Sequence, residues 1–142
     1  MNKYLRWVAV VGGIVIALVS VGLLISGSTL EAASERGTLI DASGVAPSAE
    51  MVAAVAQPRI VLGIAGVVQA VALLLLVWVR SRAMVVIGVI VSAAALAALV
   101  VVAVIWPFEG INIPAILPVA IAVVLTVIVT GSRLRARLPA QR

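Results

Sequence analysis

The 142-residue chain contains neither cysteine nor histidine, and only 11% of its residues are charged. The missing cysteine excludes disulfides, thiol nucleophiles and thiolate metal sites, and the missing histidine excludes imidazole-based proton transfer and histidine-ligated haem. A soluble domain is roughly 45–50% apolar and about 25% charged, whereas this chain is 65% hydrophobic. There is too little polar surface to cover a water-soluble globule, so soluble enzymes and soluble binding domains are excluded.

Charge is also missing from four long apolar runs, residues 7–25, 60–79, 83–105 and 111–129. An apolar helix of about 20 residues crosses a hydrocarbon core of about 30 Å. The runs do not alternate in polarity as the strands of a membrane barrel do, and a helix satisfies its backbone hydrogen bonds within lipid. The sequence therefore predicts an all-α integral membrane protein with four transmembrane helices in a single domain, residues 1–142.

The basic residues are distributed unevenly around these predicted spans. Eight cations share one side if all four runs cross: Lys3, Arg6, Arg80, Arg82, Arg133, Arg135, Arg137 and Arg142. The other side receives Arg36, Arg59 and all five acidic residues. The positive-inside rule then predicts that both termini, including the basic tail 131–142, are cytoplasmic. The prevalence of Ala, Val and Arg suits a GC-rich bacterial genome, so we expect a multi-pass protein of the bacterial plasma membrane.

A cleaved signal peptide is the alternative for the first run. Lys3 and Arg6 precede an apolar stretch, and Ser26 and Ser28 offer small residues for cleavage. The stretch is nevertheless longer than the usual apolar region of about 7–15 residues. We therefore expect a retained first span.

Residues 26–57 form the predicted outer loop of about 30 residues, with room for short helices. Ser28 and Glu31 have the spacing of a capping box, which would begin a short helix that Gly37 ends in a left-handed conformation. The equal alternative is a first span that continues through Gly27 as one longer helix.

Proline marks the second half of the predicted loop. Pro47 suits the first turn of another short helix that would reach Gln57. Pro58 would then either begin the second span or lie within a continuous helix.

Small residues recur at helical spacing within the spans and predict close helix packing. The predicted packing residues are Ala9, Gly13, Ala17, Gly63, Gly66, Gln69, Ala70, Gly88, Ser92 and Ala95. The polar residues within the spans are Ser20, Gln69, Ser92 and Thr126, with Thr130 at an edge. Gln69 is the most costly of them to bury. It would either contact a substrate or ion or form an interhelical hydrogen bond worth about 0.6–2 kcal/mol, and we expect the hydrogen bond.

Reactive groups and their motifs are missing from the spans. No ionisable residue lies inside a run, and no P-loop, GxSxG or HExxH motif occurs. We therefore expect no catalytic residue, no cofactor and no metal site. Five arginines are expected to set the topology and to attract anionic lipid: Arg80, Arg82, Arg133, Arg135 and Arg137. The basic tail has no interleaved aromatic residues, so nucleic acid is not an expected partner.

Three functions are compatible with this inventory. The first is a non-catalytic accessory or scaffold subunit of a larger bacterial membrane complex, for example a respiratory-chain assembly, with other integral membrane subunits or further copies as partners. The second is a small homo-oligomeric transporter, channel or holin-like pore. The third is an enzyme or chaperone that acts outside the membrane through Glu31, Glu35, Asp41 and Glu50. The uncharged spans favour the first.

The layout resembles several groups of four-span bacterial membrane proteins, among them a tryptophan-operon-associated group of actinobacteria. The resemblance covers the long loop after the first span and the hairpin turn at Arg80–Arg82. These are features of topology, so no functional residue is implied by them.

Overall fold

The computed structural model describes residues 2–40, 43–79, 81–105 and 113–136, and the regular structure in these ranges is entirely helical. The helices are α1 (Lys3–Glu35), α2 (Ala49–Trp78), α3 (Arg82–Ile105) and α4 (Ile113–Arg135). All four are long and apolar enough to span a membrane. The prediction of an all-helical chain with four potential spans is therefore confirmed.

The first helix corrects the predicted boundary of span one. α1 has 33 residues and is about 50 Å long, well beyond a hydrocarbon core of about 30 Å. The capping box does not form, because Ser28 and Glu31 lie inside this continuous helix, where the backbone N–H groups that a cap would satisfy already belong to the helix. The hydroxyls of Ser28 and Thr29 donate instead to the carbonyls of Leu24 and Ile25 one turn earlier, so the single longer helix is the correct alternative.

The end of α1 lies where the sequence placed a terminator. Gly37 has a φ of +65°. Its backbone N–H donates to Ser34 O at 3.0 Å, and the N–H of Thr38 donates to Ala33 O at 3.0 Å. These two bonds form a Schellman motif, in which glycine adopts the left-handed conformation without a steric penalty.

The second helix also begins earlier than predicted. Ser48 is its N-cap, and the Ser48 hydroxyl accepts a hydrogen bond from Met51 N at 3.2 Å. Pro58 is buried within a helix that continues on both sides. The short helix predicted before Pro58 is therefore the first part of α2. The predicted loop 26–57 is corrected to residues 36–48 between α1 and α2, of which 41 and 42 lie outside the described residues.

The helices form an antiparallel bundle with α2 and α4 along its inner diagonal. Both of these helices contact all three others, whereas α1 and α3 do not touch each other within the described ranges. Gly13 lies against Leu74 and Gly27 lies against Ile60, which shows that α1 and α2 run in opposite directions. Every predicted span thus packs against its neighbours in sequence.

This connectivity collects like charges at the two ends of the bundle. The basic end holds the starts of α1 and α3 and the ends of α2 and α4. The described cations there are Lys3, Arg6, Arg82, Arg133 and Arg135. The opposite, acidic end holds Glu31, Glu35 and Glu50, together with Arg36 and Arg59.

Buried apolar side chains fill the bundle from end to end in three clusters. Ala9, Leu73 and Val129 belong to the cluster at the basic end. Ile16, Ala70 and Ala122 form the middle cluster. Leu62, Ala95, Val102, Ala115, Val119 and Val123 form the third, toward the acidic end. The outward faces are apolar as well, with Val15 52% and Val100 62% exposed, as expected where lipid replaces water.

Candidate functional site

The chemically distinctive feature of the interior is a hydrogen-bonded cluster centred on Gln69 of α2, whose side chain is completely buried. Its Nε2 donates to Ser92 Oγ of α3 at 2.9 Å and to Thr126 Oγ1 of α4 at 2.8 Å. The amide therefore joins three helices. The interhelical hydrogen bond that the sequence favoured for Gln69 is present.

The orientation of this amide follows from the hydroxyl it meets. Thr126 Oγ1 donates its own proton to Ala122 O at 2.8 Å in the preceding turn of α4. The hydroxyl is then available to Gln69 only as an acceptor. Turning the amide over would place two acceptors against each other, so the Nε2 side faces Thr126.

Among the residues that the structure describes, two buried oxygens near the centre of the bundle lack a hydrogen-bond partner, and a third, Thr130 Oγ1, lies toward the basic end. The two central oxygens are Gln69 Oε1 and Ser20 Oγ of α1. Ser20 is fully buried, and its Cβ lies 2.9 Å from the position that a Cβ on Gly66 would take, one turn from Gln69 along α2. Each of the four helices thus contributes one buried polar side chain to the middle of the bundle.

The chemistry available to this cluster is limited to hydrogen bonding. Its groups are one carboxamide and three hydroxyls, from Gln69, Ser20, Ser92 and Thr126. Neither type of group ionises near neutral pH, so the cluster offers neither a general base nor a charged ligand. What it does offer is geometric specificity, because the helices satisfy the amide N–H groups only in this register.

The structure places the predicted packing residues on the contacts between helices. Nine are buried and Ala17 is half-buried; the buried ones are Ala9, Gly13, Gly63, Gly66, Gln69, Ala70, Gly88, Ser92 and Ala95. A Cβ on Gly63 would lie 2.9 Å from Ser20 O, so the backbones of α1 and α2 are nearly in contact there. Gly88 meets Leu76 across the contact between α2 and α3. The predicted faces pack within the chain itself.

Two members of the central cluster and one close backbone contact were missed as site residues. Ser20 and Thr126 were recognised as polar but were not assigned to a site. Both could have been predicted as candidate partners of Gln69, because the spans contain few other polar side chains that could accept a hydrogen bond from its amide. Gly27, whose added Cβ would lie 2.9 Å from Ala56 O, was placed either in the loop or inside a longer first helix and was not predicted as a packing residue. Nothing in the loop composition marked it as a packing residue.

The arginines predicted to contact lipid do not share one environment. Arg82 and Arg135 are exposed, whereas Arg133 is only 9% exposed. Arg133 Nη1 donates to Val79 O at 2.6 Å, at the carboxyl end of α2. A cation at this position satisfies a carbonyl that the helix leaves unpaired. Arg80 and Arg137 lie outside the described residues.

Comparison with known proteins adds no family to this description. No family model matches the chain, and no curated protein or solved structure is significantly similar to it. The resemblance in layout to other four-span proteins therefore gains no support, and function has to be argued from the geometry of this bundle.

Proposed function

We propose that the chain is a non-catalytic accessory or scaffold subunit of a larger bacterial membrane complex. The observation that carries the proposal is a small-residue face left open on α3. Ala93 and Ala97 are exposed and lie four residues apart, between the large exposed side chains of Ile90 and Val100. Small residues at this spacing let a second helix approach closely in lipid.

The small-residue faces that pack inside the bundle are already occupied, which narrows the proposed partner surface to the outward side of α3. Gly63 and Gly66 are used against α1, and Gly88 is used against α2. They are not accessible to a partner. α3, like α1, contacts two neighbours at a corner of the bundle, and the exposed Ala93 and Ala97 make its outward side the one that we propose for an additional helix.

The placement of polar groups supports an accessory role over a homo-oligomeric pore. Ser20, Gln69, Ser92 and Thr126 are all buried inside one chain. The exposed side chains within the described parts of the spans are those of Val, Ile, Leu and Ala, with Trp7 and Trp78 toward the basic end. A pore assembled from these outer faces would have apolar walls, which resist water and ions.

The test is native mass spectrometry of the full-length chain, extracted from its own membrane in a mild detergent. We expect a stoichiometric companion of different mass, lost on joint Ala93→Leu and Ala97→Leu substitution because leucine fills the shallow face. Val86→Leu is the matched control, since Val86 is an exposed residue of the same helix, and it should retain the companion. Detection of the chain alone, with no companion of different mass, contradicts the proposal. A complex of identical chains, with selective ion flux in liposomes, supports the pore instead.

The proposed topology places the basic end of the bundle in the cytoplasm, with both termini inside. Its support is the collection of cations at that end. Because the chain has no cysteine, Ser43→Cys and Ser81→Cys each create a single labelling site. We expect a membrane-impermeant maleimide to label intact cells at position 43 and not at position 81. Labelling at position 81 and not at position 43 would show that the bundle has the opposite orientation in the membrane.

A further inference from the structure

A pocket of about 220 Å³ lies at the basic end, between the first turns of α1 and the last turn of α2. The residues lining it are Lys3, Arg6, Trp7, Val10 and Trp78. It is smaller than the roughly 300–1,000 Å³ of a typical small-molecule site. A pocket of this size suits one part of a larger ligand.

Apolar surface forms almost the whole wall of the pocket, because Lys3 and Arg6 line it with their hydrocarbon stems. Lys3 and Val10 are seven residues apart, or about 10 Å along α1. Both cations are exposed residues, so their charged groups lie at the edge of the pocket, whereas Val10 continues its apolar wall along α1. Trp7 and Trp78 are 62% and 66% exposed, so the pocket borders the surface that lipid covers. A ligand that matches this order has an anionic group joined to an apolar chain.

Arg6 is held in place at the charged end. Its guanidinium carbon lies 4.9 Å from the centroid of the Trp78 ring, within the range of a cation–π contact. The stacked guanidinium keeps its N–H edge available, and a planar edge of this kind suits the oxygens of a phosphate. The acidic residues that the structure describes belong to the opposite end of the bundle, so no described carboxylate competes for this cation.

We propose that this pocket is a binding site for an anionic phospholipid, with the lipid phosphate at Lys3 and Arg6 and the start of an acyl chain against Val10 and the two tryptophans. The apolar part of the lining favours a lipid over a free phosphate. The site is separate from Arg133, which is engaged with the end of α2. It is also independent of the accessory role, because it requires only that the bundle lies in a membrane.

The experiment uses quenching of tryptophan fluorescence by brominated lipids, added to full-length protein in detergent. Trp106→Phe in all samples leaves Trp7 and Trp78 as the only tryptophans. Brominated phosphatidylglycerol and brominated phosphatidylcholine are the two probes. A cation in contact with an anionic headgroup contributes about a fivefold gain in affinity, so joint Lys3→Gln and Arg6→Gln substitution should weaken phosphatidylglycerol binding about 30-fold.

Arg82→Gln is the matched control, because Arg82 is an exposed cation of the same end that does not line the pocket. It should leave phosphatidylglycerol binding within about twofold, below the fivefold effect of a cation in contact with the lipid. Lys3→Arg retains the charge at that position and should retain binding. Quenching by phosphatidylglycerol should persist when inorganic phosphate is added.

Three results would overturn the proposal. The first is equal quenching by the two lipids in the unsubstituted pocket, a result that does not depend on the folding of any pocket variant. The second is an equal loss of binding for Arg82→Gln and for the pocket variant, which would indicate a diffuse attraction to the basic end. The third is displacement of the lipid by inorganic phosphate, which would make a soluble phosphate compound the ligand.

Discussion

The contact between α1 and α2 at Gly63 yields the most demanding test of the structure. A Cβ added at Gly63 would lie 2.9 Å from Ser20 O and 3.0 Å from Leu24 N. Both are backbone atoms of α1, and no side-chain rotation can move them. Gly63→Ala must therefore push the two helices apart. Overpacking of this kind costs about 1–3 kcal/mol, and we expect the free energy of unfolding to fall by that amount.

Gly66→Ala is the informative comparison, because a side chain blocks it. The obstacles nearest to the new Cβ are Ser20 Oγ and Ser20 Cβ. Ser20→Gly removes both atoms and should restore most of the stability of Gly66→Ala, less about 0.5–1 kcal/mol for the added glycine. The same substitution leaves Ser20 O in place, so it should not rescue Gly63→Ala.

The measurement is SDS-driven unfolding of the detergent-solubilised chain, followed by far-UV circular dichroism. Gly22→Ala is the control on α1, since nothing lies within 4 Å of its added Cβ. It should leave stability unchanged or raise it by about 0.4–1 kcal/mol. The reasoning fails if Gly63→Ala is as stable as the parent chain to within about 0.5 kcal/mol. It also fails if Ser20→Gly rescues both alanine variants equally.

Two further predictions concern the polar contacts. Ser92→Ala and Thr126→Val should each lower the free energy of unfolding by about 0.6–1.7 kcal/mol. Each substitution should destabilise a Gln69→Leu chain by less, because that chain lacks the amide donor. Losses that add fully in the same SDS titration would argue against the cluster. Arg133→Gln should lower the free energy of unfolding by about 1.5–3 kcal/mol, because it removes the charged hydrogen bond to Val79 O. Arg135 is exposed, so Arg135→Gln should change the free energy of unfolding by no more than about 0.5 kcal/mol in the same assay. Equal effects of the two arginine substitutions would show that Arg133 acts only through its general charge.

The four apolar helices could be predicted because their signal is composition over about 20 residues. A long apolar run without charge predicts a membrane span regardless of which helices pack against it. The end of α1 was also predictable, since Gly37 is suited to a left-handed helix terminus. The helical extensions on either side of the loop were harder to find. Local signals at Ser28 and Pro47 favour short separate helices, whereas the packing of Gly27 against Ala56 accompanies a longer α1 and an earlier start of α2.

The central cluster was likewise predictable from the sequence only in part. Gln69 could be recognised as a side chain that needs a partner in a dry environment. Its partners could not be chosen from the sequence, because Ser92 is 23 residues away and Thr126 is 57 residues away. The rotation of three helices about their own axes decides whether those hydroxyls meet the amide.

The sequence by itself was enough to predict four apolar helices long enough to span a membrane, since the distribution of charge and apolar residues sets the free energy of each segment in lipid independently of its neighbours. Tertiary structure alone decided which small residues are used inside the chain and which, such as Ala93 and Ala97, remain open to a partner. It alone brought Arg6 to Trp78 and so created the pocket at the basic end. Such contacts depend on the register between helices, which the composition of a single span does not specify.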